Sequence, residues 1–144
     1  MIRRCMVCEK KFSTESRGWC DKHIPHVCGP DCFRDFVTSF QPLDTAGFIP
    51  FKHSGSFRSH YEKRFATYVD RLELRNDYEP YKIEMPNGDF YVPDFLTDQS
   101  VFFEVKGIWD GRGKAKFKAF VDNYPELPIF VIDLKMLSTL GGRK

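Results

Sequence analysis

Apolar positions change their period along this chain, and each change marks an element. Tyr61, Phe65, Tyr68, Val69 and Leu72 recur three and four residues apart, predicting an amphipathic helix over residues 59 to 75. Two alternating runs come next, Tyr78 to Met85 and Phe90 to Phe95, joined by Pro86-Asn87-Gly88-Asp89. Asn-Gly between alternating runs is a hairpin signal. Pro93 inside the second run marks a strand end or a bulge, where ladder bonds stop and side chains are re-aimed. Val101 to Lys106 reads as a third strand, and Lys114 to Tyr124 as a helix with Phe117, Phe120, Val121 and Tyr124 inward. Ile129-Phe130-Val131-Ile132 is a continuous apolar run, the mark of a strand buried on both faces after an α crossover. Nearer the start, Phe33, Phe36, Val37 and Phe40 have helical spacing behind Pro30 and Asp31, a helix-start signature. Residues 41 to 58 show no sustained period. They read as a linker whose apolar patch, Phe48 to Phe51, docks on a neighbour.

The third strand carries a contradiction. Val101, Phe102, Phe103 and Val105 say that it is buried, yet Glu104 and Lys106 lie on one of its faces, beside a strand ending in Asp94. Buried charge needs a partner or a metal. Two carboxylates and an amine converging at one point suggest a divalent-cation site with an ammonium beside it. Glu62 has two readings. Ser59-His60-Tyr61-Glu62 fits the S-x-x-E capping box, and Glu62 also lies next to the apolar helix face, within reach of a site at the sheet edge.

Composition adds a second metal question. All 5 cysteines lie between Cys5 and Cys32, an odd and crowded set that reads as metal ligation more than as a disulfide framework. Cys5-Met6-Val7-Cys8 is a C-x2-C knuckle. Cys28 and Cys32, at the start of the predicted helix, complete a treble-clef-like zinc set. Cys20 and His23 form a rival pair with the same knuckle, and the cysteine left over would be a small buried hydrophobe. So small a module cannot bury enough surface to fold alone, so Zn2+ would be structural. His53 and His60 have no ligand partners at metal-binding spacing and read as surface or substrate-side residues.

Net charge is only +2, so distribution matters more than total. Arg112, Lys114, Lys116 and Lys118 form the densest basic patch and adjoin the carboxylates by connectivity; Arg58 lies beside the Glu62 helix. Such a patch suits phosphates, against the plainer reading of a solvated helix face. The start of the chain runs into cysteines and no apolar run approaches a bilayer span, so a soluble, cytoplasmic protein without membrane contact is expected.

Glu62 on a first helix, Pro93-Asp94, and Glu104-Val105-Lys106 on successive elements resemble the PD-(D/E)XK nuclease superfamily. Tyr78-Glu79-Pro80, Tyr91-Val92-Pro93-Asp94-Phe95 and Phe103-Glu104-Val105-Lys106-Gly107-Ile108-Trp109 look particularly like the phage endonuclease I family of Holliday-junction resolvases. The resemblance covers residues 57 to 134. It implies an α/β (α+β) mixed-sheet fold with a restriction-endonuclease-like αβββαβ core, here placed after a small N-terminal zinc-binding module that this family lacks as a rule. The expected divisions are a zinc-finger module over 1–40, a linker over 41–56 and a nuclease domain over 57–144. The implied activity is Mg2+- or Mn2+-dependent hydrolysis of duplex or branched DNA, leaving a 5′-phosphate and a 3′-hydroxyl. Asp94, Glu104 and the Val105 carbonyl would hold the metal, Lys106 would orient water or stabilise the transition state, and Glu62 would complete the site. A near-minimal core and the need to cut both strands of a junction point to a homodimer. The competing class is a non-catalytic zinc-finger nucleic-acid-binding protein, in which the acids are only structural.

Overall fold

The computed structural model describes residues 1–51 and 55–141, so His53 lies outside the described residues. The chain opens with a small antiparallel ribbon, β1 (Ile2–Arg4) against β2 (Lys11–Ser13), whose turn carries Cys5 and Cys8. A 3-10 helix over Gly18–His23 and α1 (Pro30–Thr38) come next, with Pro30 in the first turn as its fixed φ favours. Phe33 of α1 packs on Phe65 and Phe103, and Phe36 packs on Phe130, so residues 1–40 share one core with the later elements of the chain.

The remaining elements are β3 (Ile49–Pro50), α2 (His60–Arg71), β4 (Asn76–Tyr78), β5 (Tyr81–Glu84), β6 (Phe90–Tyr91), β7 (Phe95–Thr97), β8 (Val101–Val105), α3 (Gly111–Asn123), β9 (Ile129–Ile132) and α4 (Leu134–Leu140). They form a mixed α+β fold. The four-stranded sheet has the order β4-β7-β8-β9, antiparallel except for β8 and β9, which run parallel after the α3 crossover. Within this sheet the chain order is α2, three strands, α3, strand. β8 is buried along its whole length: Phe103 faces Phe33 and Phe65, while Phe102 meets Phe48.

The hairpin forms where Asn87-Gly88 predicts it, with Gly88 at φ +90°. Its arms are not single strands, however. Each breaks once, and the inner pieces (β5 and β6) join β3 in a separate three-stranded sheet, while the outer pieces (β4 and β7) enter the main sheet. The breaks fall at Glu79-Pro80 and Val92-Pro93-Asp94, where each proline lacks a ladder N–H. Strand alternation over Phe90 to Phe95 would put Phe90, Val92 and Asp94 on one face, and the break removes that sharing. The Glu79 N–H donates to the Asp94 carbonyl at 2.8 Å and pins the two corners together.

Two boundaries differ from expectation, and one helix was not expected. The helix expected to reach residue 75 stops at Arg71, because Glu73 takes the left-handed conformation (φ +59°) and Leu74 turns inward. α3 starts at Gly111, ahead of the expected Lys114, because the Asp110 carboxylate accepts from the Gly113 N–H and caps it. α4 had no sequence expectation; Asp133 caps it, and Met136, Leu137 and Leu140 bury its inner face. The apolar patch at residues 48–51 does dock: β3 pairs with β5, and Phe48 packs against Tyr81.

Candidate functional site

The two corners put carboxylates where the sheets part. Four acids there are almost wholly removed from solvent: Glu62 at 6%, Glu79 at 1%, Asp94 at 9% and Glu104 at 5% exposure. Asp94 and Glu104 are locked together by main-chain bonds. The Asp94 N–H donates to Glu104 Oε1 at 3.0 Å, and the Val105 N–H donates to Asp94 Oδ2 at 2.8 Å. Tyr91 lines the same cavity, and its hydroxyl acts weakly to lower Glu104. Burial pushes the Asp94 carboxyl up to about 7; the charges of Glu62 and Glu79 add to this, and the Val105 N–H and Lys106 oppose it. Burial and the Asp94 charge push Glu104 well above the usual carboxylate range. A buried, mutually repelling acid pair of this kind favours a proton or a cation.

Lys106 leaves the end of β8 with its N–H bonded to the Ile132 carbonyl, and its ammonium lies 5.5 Å from the centre of the Trp109 ring. Asp94, Glu104, Glu79, Tyr91, Lys106 and Trp109 line one cavity of about 260 Å3, with Arg58 and Lys116 also on its wall. Three sequence candidates, Asp94, Glu104 and Lys106, are thus brought together. Larger cavities lie elsewhere; among the described residues, that between Lys22, His23 and Phe130 holds one acid, Asp122.

Both readings of Glu62 have support. It closes a complete capping box: its N–H takes the Ser59 hydroxyl oxygen, and its Oε1 accepts from the Ser59 and Arg58 N–H groups and from the Tyr78 hydroxyl. Its charge is nevertheless felt at Asp94. Glu79 was missed as a site residue. Before a proline at a strand end it reads as an exposed turn acid, whereas here it adopts φ +45° and is paired to Arg58 at 3.3 Å. A non-glycine residue held in that region is a local signal of constraint. Tyr91 was missed too, since nothing in the alternation separates a core tyrosine from one lining an acid cavity.

The basic patch divides. Arg112, Lys116 and Lys118 are exposed and Lys114 is half-buried, and of these only Lys116 reaches the cavity. The ammonium groups of Lys114 and Lys118 each lie 5.2 Å from the centre of the Trp19 ring. His60 is exposed and its ring lies tilted against that of Tyr61.

The cysteine question has a geometric answer. The sulfurs of Cys5, Cys8, Cys28 and Cys32 all lie within 4.8 Å of one another, with Cys8 to Cys28 at 3.6 Å and Cys28 to Cys32 at 3.8 Å. Tetrahedral Zn2+ with bonds of about 2.3 Å requires sulfurs about 3.8 Å apart. The knuckle N–H groups already point at sulfur, the Val7 N–H lying 3.4 Å from Cys5 Sγ. Burial would raise the Cys5 thiol, but the N–H groups of Cys8, Val7 and Cys28 outweigh it and bring it down to about 6. The rival pair lies apart from the cluster. Cys20 is buried with its thiol directed at the Arg17 carbonyl, and His23 Nδ1 lies 3.3 Å from the Ile129 carbonyl. His26 also turns away, towards the Asp21 carbonyl.

Residues 46–139 match the model of the phage endonuclease I family, which spans the acid corners, both sheets and α3. The chain belongs to that family. Among curated proteins it is 32% identical over 80 residues to endodeoxyribonuclease 1 of Enterobacteria phage T3, covering 54% of this chain and 53% of that protein. It is 28% identical over 81 residues to endonuclease I of Escherichia phage T7, covering 54% of each. The chain spans about half the length of these curated endonuclease I relatives. No solved structure matches it significantly. Cys5 to Cys32, and with them the four-sulfur cluster, lie outside the stretch matched by the family. Among the described residues no helix is long and apolar enough to cross a membrane.

Proposed function

We propose that this chain is a divalent-metal-dependent DNA endonuclease of PD-(D/E)XK type, with a restriction-endonuclease-like core in residues 57–144 and a structural zinc module in residues 1–40. The observation that carries the reading is the Asp94–Glu104 pair, two buried carboxyls bonded to each other's strand ends and facing Lys106 across one cavity. Their raised proton affinity fits a site completed by a cation. Asp94, Glu104 and the Val105 carbonyl would hold Mg2+ or Mn2+, hard cations that favour oxygen. Such a cation, once bound, supplies positive charge to the scissile phosphate and acidifies the attacking water.

The chain's own residues do the rest. Lys106 presents a cation to the reacting phosphate, held over Trp109 at the cavity wall. The Asp94 N–H fixes the orientation of Glu104, with Tyr91 beside it in the cavity wall. Glu62 and Glu79 add negative charge behind Asp94, which strengthens the site's hold on a cation. Arg58 and Lys116 on the wall, with Arg112 nearby, engage the DNA backbone. The family assignment and the endodeoxyribonuclease and endonuclease relatives support DNA as substrate. Branched DNA is the proposed target, and cutting both of its strands calls for two such sites, which a homodimer supplies.

The test is cutting of linear, nicked and four-way-junction DNA with Mg2+ or with EDTA. Cleavage that needs Mg2+ and favours the junction is expected. No Mg2+-dependent cutting of any of the three would refute the proposal.

A further inference from the structure

Trp19 meets Trp109, on the wall of the proposed cutting centre, from a different part of the chain. It lies in the 3-10 helix over Gly18–His23, in the segment between the two cysteine pairs of the sulfur cluster. Its ring meets Trp109 edge-on, with centroids 5.0 Å apart at 73°, and both rings contact the fully buried Phe117. Trp109 carries Lys106 over its face and helps to wall the acid cavity. The loop holding Trp109 is fixed at its ends by the Lys106 N–H bond to Ile132 and the Asp110 cap of α3, while Ile108 within it is 88% exposed. Trp109 between Trp19 and Phe117 is thus the apolar anchor of the loop after Lys106.

The segment bearing Trp19 is tied at both ends. Arg3 of β1 pairs with Asp21, and the Met6 N–H donates to the His26 carbonyl, which join it to the knuckle. Arg17 pairs with Asp133 at 2.8 Å, which joins it to the end of β9. A metal joining Cys5 and Cys8 to Cys28 and Cys32 would close this segment into a loop. That lowers the entropy cost of holding Trp19 in place.

We infer that Trp19 is a positioning residue: clamped by metal in the four-cysteine cluster, it sets Lys106 through Trp109 and so couples the N-terminal module to cutting. This rests on the nuclease reading of the Asp94–Glu104–Lys106 site. A cation–π contact of this kind biases a half-buried lysine between arrangements. Misplacing a catalytic group by about 1 Å can cost on the order of a hundredfold in rate.

The chain has 2 tryptophans, so its indole spectrum reports this one contact. The zinc-loaded protein should show a far-ultraviolet circular-dichroism exciton couplet from the strong indole transitions of the pair. Stripping zinc with a chelator selective for it over Mg2+ should abolish the couplet and lower the cutting rate together, and adding zinc back should restore both. In steady-state cutting with Mg2+, Trp19→Ala should lower kcat about tenfold to a hundredfold with KM within about twofold, while Trp19→Phe should stay within about threefold of the parent. A couplet indifferent to confirmed zinc loss, or Trp19→Ala cutting with the parent kcat, in a protein that does cut DNA, overturns the coupling alone. A parent protein that cuts no DNA overturns the nuclease reading beneath it.

Discussion

Asp94 and Glu104 are bonded crosswise: the Asp94 N–H holds the Glu104 carboxylate at 3.0 Å, while the Asp94 carboxylate holds the N–H of Val105 at 2.8 Å. Neither side chain can turn away from the other without losing a buried hydrogen bond. The arrangement keeps two acids at one spot at the expense of their ionisation, the reverse of what stability alone would select.

One consequence concerns pH. Asp94 titrates at about 7 in the fold, against a reference of 3.8, and Glu104 is raised as well. Through the window from about pH 4 to about pH 7 the folded, metal-free protein binds more protons than the unfolded chain, so its stability falls as pH rises. Relative to Asp94→Asn, the metal-free parent should lose several degrees of Tm between about pH 5 and about pH 8. Mg2+ should restore more of it at the higher pH. Thermal scans check this, and a parent-minus-variant difference that does not change with pH would contradict it.

A second concerns Glu62, whose carboxylate serves a capping box while its charge reaches Asp94. Glu62→Ala should cost about 1 kcal/mol in urea unfolding through loss of the cap. Glu62→Gln keeps an acceptor in place, so its stability should stay close to the parent's while cutting falls about tenfold or more. Parent-like cutting by the glutamine variant would confine Glu62 to the cap.

The four-cysteine cluster yields a third. Metal analysis of purified Cys28→Ser should show lost zinc, with a lowered Tm, whereas Cys20→Ser should keep zinc. The opposite pattern would overturn the ligand set that the four-sulfur geometry supports.

A fourth separates the basic residues by position. Lys116 is exposed on the cavity wall, so Lys116→Ala should weaken DNA binding across sequences and reduce the salt slope of log K by about 1. Lys118 lies against Trp19, so its removal should change the slope less. Equal slopes for the two variants would contradict the division.

Where elements have strong local periods they were legible from the residues: the Tyr61-to-Val69 stripe of α2, the Asn87-Gly88 turn, the apolar run of β9 and the Pro30 start of α1. The double break at Glu79-Pro80 and Pro93-Asp94 was only half legible. Alternation continues through both prolines, and what divides the arms between two sheets is pairing with residues distant in sequence. The same limit hid Glu79, which local pattern makes a turn acid and tertiary packing makes a cavity acid. Trp19 left no trace in the sequence pattern, because a lone tryptophan among cysteines has no period. The choice between Cys28 with Cys32 and Cys20 with His23 was likewise open at the level of spacing, and chain geometry gathers the first pair.

The central claim is that Asp94, Glu104 and Lys106 form one phosphodiester-cutting site. Single-turnover cleavage of a four-way junction in Mg2+, by the parent, Glu104→Gln and Lys106→Ala side by side, tests it most directly. The parent should cut, and each variant should be slower by at least about a hundredfold while still binding the junction. Cutting at the parent rate by either variant would contradict the account.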